Sequence, residues 1–271
     1  NNRFYSNTIN GGNYGIVLRG FAASSPFTLA DTNNDVGGIA LATGNTILNY
    51  GGAAAATNPS AAIRIVDQWA ANVSFNTINN NNGSGVNHVS TLRGIITSGG
   101  TSASLNINNN GITLFGGGTT SQLDGISNGA GSTAAGNSIN INNNTLVLNY
   151  ASATGATING IVNSSSAATV NINGNNISAG SIIPGTGTHI LISGGSPVNL
   201  NISGDTINNF SRSSATTGTL RGIVITSPTT TVINNNTISN LSYTNAASTG
   251  IIEGIYCLSS SIDVTISNNS V

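Results

Sequence analysis

The chain has no lysine and no methionine, one cysteine, and charge at only 5% of its 271 positions. Each scarcity excludes something. A lone cysteine, Cys257, cannot form an intrachain disulfide, so stability must come from packing and hydrogen bonding. Six arginines against seven acids leave a formal net charge of −1, with no basic field to attract nucleic acid or anionic lipid. No apolar run approaches the roughly 18 residues needed to span a membrane. Asn, Ser, Thr and Gly are abundant instead, a composition that can signal disorder. Against that stands 38% hydrophobic content, enough to fill a core when it recurs at fixed positions.

It does recur. Asn-Thr-Ile stands at 7–9, 45–47, 76–78 and 236–238, and looser copies begin at Asn110, Asn144, Asn175, Asp205 and Asn269. The nine copies are separated by 38, 31, 34, 34, 31, 30, 31 and 33 residues. Near-fixed self-similarity of this length signals a repeat architecture. Three residues before each copy stand Phe4, Ala42, Val73, Ile107, Ile141, Ile172, Ile202, Ile233 and Ile266, all apolar. Two residues after it the chain is again apolar, from Ile9 to Val271. Leu105, Ile139, Val170, Leu200 and Val264 extend the pattern with the period of two of a half-buried strand.

A second marker falls between copies: Gly15-Ile16, Ala62-Ile63, Gly94-Ile95, Gly125-Ile126, Gly160-Ile161, His189-Ile190, Gly222-Ile223 and Gly254-Ile255. Loops such as 116–121 and 151–155 are rich in turn formers. A strand-turn-strand unit without a helix can bury its apolar face only by coiling and stacking on its neighbours. The expected fold is all-β: a single-stranded parallel β-helix of about nine coils, continuous over 1–271, with an internal Asn ladder. The long first step is assigned to a protruding insertion at 21–37. Both ends stop inside a repeat, so a segment of a longer repetitive protein is expected.

The I-x-x-N-x-I signature with its Gly-Ile partner resembles the right-handed parallel β-helix of the pectin-lyase-like superfamily. That resemblance implies the handedness and a fold shared by lyases, hydrolases, tailspikes and adhesins, so it does not specify an activity. The lysine-free Asn/Thr/Ser composition also resembles repetitive surface proteins secreted by type IX systems.

The ladder residues are Asn7, Asn45, Asn76, Asn110, Asn144, Asn175, Asp205, Asn236 and Asn269. Asparagine tolerates the left-handed backbone of a corner, and stacked amides about 4.8 Å apart can pair up and down the rod. Asp205 is expected to accept from both Asn175 and Asn236. A charged column precedes the Gly-Ile marker: Tyr14, Ala61, Arg93, Asp124, Asn159, Thr188, Arg221 and Glu253. Arg93–Asp124 and Arg221–Glu253 are expected to pair across coils on an exposed face, or to line a polar groove for sugars. Cys257 is expected to be buried and His88 to be a solvated loop residue.

The acids are too dispersed for the carboxyl pairs of glycosidases, and the lysine of the related lyases and hydrolases is missing. Ice binding would need a Thr array, and Thr229–Thr231 is not repeated on neighbouring coils. The expectation is therefore a non-catalytic structural or adhesive rod of a large secreted, cell-surface or filament protein, without catalytic residues, cofactor or resident metal. The alternative is a carbohydrate-binding or polysaccharide-degrading β-helix whose active residues lie outside this segment. Expected partners are surface polysaccharide or other copies of the chain. Any binding is assigned to the insertion, with Phe21, Phe27, Asp31 and Asp35 as candidate residues, the two acids being where calcium would be sought.

Overall fold

Alternating apolar residues, broken by a bend before each ladder residue, divide every turn into three short strands. The computed structural model describes residues 1–52, 59–133, 136–151, 155–181, 183, 186–258 and 261–271. The turn-forming loop expected at 151–155 falls partly on 152–154, outside the described residues. The chain is a parallel β-solenoid of about eight turns. Sheet 1 has nine strands, from Arg3–Phe4 to Asp263–Ser267; sheet 2 has eight, from Thr8–Asn10 to Thr237–Ser239. Sheet 3 has eight, from Tyr14–Arg19 to Ile252–Cys257. All pairings are parallel, each strand lying beside its equivalent one turn away. The one helical element among the described residues is a 3-10 turn at Leu41–Thr43, and no helix there is long and apolar enough to cross a membrane.

The core is the interior of the coil. Ile107, Ile141, Ile172, Ile202 and Ile233 oppose one another in sheet 1 and are each 0% exposed. Such a fully buried side chain contributes about 1.5–3 kcal/mol. Ile47, Ile78, Ile112, Leu146, Ile177, Ile207 and Ile238 form the matching column of sheet 2.

Five expectations change. Ala42 is not in the sheet 1 column: it is exposed, and Val36 takes the place between Phe4 and Val73. The insertion is therefore split. Asp35–Val36 returns to sheet 1, Asp31–Thr32 pairs with Gln68–Trp69, and extra residues follow Val36 as well as precede it. In the sixth copy, His189 lies opposite Ile158 and Leu220, so Leu191-Ile192 occupies the Gly-Ile position. Cys257 is exposed. Its column partner Ile225 is buried. The column position is an inward one, but no further turn of the described chain covers it. Finally, the left-handed residue is not the ladder residue but the one before it. Asn109, Asn143, Asn235 and Asn268 have φ of 57°, 56°, 56° and 55°, and Gly174 and Gly204 serve the same corner with φ of 66°.

Candidate functional site

The ladder runs in one direction. In each turn the backbone N–H and the Nδ2 of one ladder residue both donate to the Oδ1 of the next. For Asn110 on Asn144 the distances are 3.0 and 2.9 Å, and for Asn144 on Asn175 they are 2.9 and 3.0 Å. The second Nδ2 hydrogen goes back to a carbonyl of the preceding turn, as from Asn144 to Ile107 at 2.8 Å and from Asn236 to Ile202 at 3.1 Å. Each amide thus ties three turns together, and buried amides satisfied in this way cost nothing in unpaired polar groups.

Asp205 breaks the pattern on one side. Its Oδ1 accepts from Asn175 at 2.7 and 2.8 Å, as an Asn would. It does not accept from Asn236, contrary to the expectation, because Asn236 turns its own Oδ1 toward the Asp205 backbone N–H at 2.9 Å. The Asp205 Oδ2 stands where every other rung has a donor, and it is buried without a partner. Burial raises its pKa from 3.8 to about 7, opposed by the bonds from Asn175.

Two further stacks escaped the sequence reading. Inside sheet 3, Thr97 Oγ1 donates to Asn128, and Asn128 donates to Asn163 at 2.7 Å, all three being buried. Their signal was present: each stands two residues after an Ile of the Gly-Ile marker. On the outer face of sheet 1, Asn140 donates to Asn106 at 2.9 Å, Asn171 to Asn140 at 2.8 Å and Asn201 to Asn171 at 2.8 Å.

The charged column is ionic as expected at both of its pairs. Arg93 Nε meets Asp124 Oδ2 at 2.9 Å, and Arg221 Nε pairs with Glu253. Its setting differs from the expectation, since Asp124 is 0% exposed and also accepts from Gln122 at 2.8 Å and Asn159 at 2.8 Å. Asn159 lies opposite Ile190 and not Thr188, so an aliphatic residue interrupts the polar row.

The insertion residues are placed separately. Phe21 is 59% exposed, and Phe27 leans on Trp69 with ring centroids 6.0 Å apart. Phe21, Ser25, Pro26 and Leu29 help enclose a hollow of about 170 Å³. Asp31 accepts from the Phe21 backbone N–H at 2.8 Å. Asp35 is held by Gly38 at 3.0 Å, Asn72 at 2.7 Å and the Tyr5 hydroxyl at 2.5 Å, the last raising the pKa of the phenol. Asp31 therefore fixes the insertion itself, whereas Asp35 ties sheet 1 to the turns on either side. Among the described residues no group of three His, Cys, Asp or Glu side chains is placed to hold a metal ion. Trp69, beneath the insertion, was not singled out in the sequence; its Nε1 is buried without an acceptor among the described residues.

Both histidines are buried. His88 is fully buried, bridged to Gly116 and packed against Gly51, which corrects its expected exposure. His189 Nδ1 accepts from the Ile158 N–H at 3.1 Å. Burial, aided by the charge of Arg212, lowers its pKa to about 3 and keeps the imidazole neutral. No family model, curated protein or solved structure matches this chain.

Proposed function

We propose that the chain is a non-catalytic structural or adhesive rod of a secreted, cell-surface or filament protein. One observation supports the reading most: six of the seven acids are engaged within the stack or its insertion. Asp124 and Glu253 pair with arginines of the adjacent turn. Asp205 is a ladder rung, Asp35 binds Asn72, Asp67 accepts from Gly100 at 3.3 Å, and Asp31 accepts from Phe21. Carboxylates that hold turns together are poor candidates for acid-base chemistry on a bound sugar. The kinship with right-handed pectin-lyase-like β-helices and the secreted location belong to this proposal, resting on the I-x-x-N-x-I signature and on composition.

Adhesion has one favoured place. The exposed Phe21 and Leu29, beside the hollow of the insertion, offer the apolar contact that a sugar ring or peptide would use. Incubation with acidic and neutral polysaccharides, with and without calcium, tests the reading. The rod predicts no release of reducing or unsaturated ends above a heat-inactivated control. Retention without cleavage, lost on deleting the insertion, is the expected adhesive behaviour, and catalytic release would overturn the proposal.

A further inference from the structure

The outer face of sheet 1 is uncharged over most of its length. From the strand Leu105–Asn108 to the strand Thr230–Asn234 its outward positions are Asn, Ser and Thr, with Val232 the one apolar exception and no charge. The central amides Asn106, Asn140, Asn171 and Asn201 are already bonded to one another, so their rotamers are ordered before anything binds. An amide used once as donor and once as acceptor along the ladder keeps a second N–H and a second lone pair. Asn140 and Asn171 each present both, repeated at the strand spacing.

Charge sits only at the two ends of this face. Arg3 and Asp35 stand on the first strands and Asp263 on the last. Asp35 is engaged by Tyr5, Gly38 and Asn72. The side chains of Arg3 and Asp263 are exposed and make no hydrogen bond or ion pair among the described residues.

We propose that this face is the contact between two copies of the chain, packed antiparallel about a two-fold axis that runs along the strand direction at the central strand Ser138–Asn142. A second copy has a repeat that must match, rung for rung, whatever the strand spacing. An amide array is self-complementary, as a two-fold contact requires. Reversing one rod places Arg3 over the last strand of the other, beside Asp263, twice per dimer. The size is adequate: eight steps of about 4.8 Å by a five-residue strand of about 16 Å give about 600 Å² per copy. The total of about 1,200 Å² reaches the lower end of stable protein interfaces. This deepens the rod reading by naming one partner and the face that meets it.

The axis passes close to Asn140, so each copy's Asn140 faces the other's. Sedimentation velocity over a wide concentration range should show a dimer in the wild type. Asn140→Asp and Asn140→Lys should each be monomeric where the wild type is dimeric, because like charges meet on the axis. Mixing the two variants in equal amounts should restore the dimer, a rescue that misfolded variants would not show. Ser127→Asp, on the outer face of sheet 3, should dimerise as the wild type does. A monomeric wild type at every concentration, or a dimer persisting in both charge variants, would overturn the proposal. So would a monomeric wild type retained on a neutral polysaccharide through the same residues, which would assign the face to sugar. These outcomes leave the rod reading standing, whereas polysaccharide cleavage would remove that reading without touching this one.

Discussion

Replacing Asp205 by Asn is expected to stabilise the protein, and by an amount that depends on pH. In the folded chain Oδ2 occupies the donor position of the ladder, facing the side of the rung where its neighbours give a hydrogen to a main-chain carbonyl. A carboxylate has nothing to give there, so the folded state favours the neutral acid, with a pKa raised to about 7 from 3.8. Below about pH 4 both folded and unfolded chains hold the proton and Asp205 costs little. As pH rises toward 7 the unfolded chain releases its proton while the folded chain retains it, so stability falls. Above pH 7 the loss levels off. Its size is the difference between 3.8 and about 7 at about 1.4 kcal/mol per pH unit, on the order of 4 kcal/mol. The side-chain amide of the variant would supply the missing donor and carry no charge. Thermal melts of wild type and Asp205→Asn at pH 4, 6 and 8 measure the effect. The variant should gain little at pH 4 and roughly 8 °C at pH 8, taking about 2 °C per kcal/mol for a chain of this size. A gap that does not change with pH, or a less stable variant at pH 8, would refute the reasoning.

Other outcomes follow from the same contacts. Asn144→Ala removes the side chain that accepts from Asn110 and donates to Ile107 and Asn175, and should cost about 1–3 kcal/mol or more, against less for the half-buried Ser121→Ala, in parallel melts. Asn128→Ala, in the stack of sheet 3, should cost a comparable amount, because Thr97 and Asn163 each lose a buried partner. Arg93→Ala should destabilise by about 1–3 kcal/mol, since it withdraws the cation from a fully buried carboxylate. Glu253→Ala should cost only about 0–1 kcal/mol, because its pair with Arg221 is partly solvated; equal losses in the two variants would contradict the difference in burial.

The sequence was most legible where one residue type must recur at one place in every turn. The Ile columns and the Asn ladder could be read directly, because stacking places equivalent residues in contact and the same physical demand repeats. Misreadings arose where one turn departs from the others. Ala42 matched the spacing of its column, but residues inserted after Val36 had moved the true partner away from Asn45. His189-Ile190 mimicked the marker, while the register that seats His189 opposite Ile158 is set by pairing with adjacent turns. Exposure was the other blind spot. Asp124 is covered by Arg93 and Asn159 of the neighbouring turns and by Gln122 of its own turn, and Cys257 loses its cover at the last described turn. The second stack, through Thr97, Asn128 and Asn163, changes residue type from one turn to the next, so it left a weaker periodic trace.

The central claim is that polar side chains inside the coil hold successive turns together. Native-state hydrogen exchange tests it most directly, at the backbone N–H groups of Asn76, Asn110, Asn144 and Asn175. Each of these donates to a side-chain oxygen of the next turn, at 3.0, 3.0, 2.9 and 2.7 Å, and not to a strand carbonyl. If the ladder bears the stack, these four amides exchange as slowly as those of Ile107 and Ile141 in the sheet beside them, and Asn144→Ala releases Asn110 first. Exchange at the rate of the loop amides around Ser121, with the sheet still protected, would contradict the account.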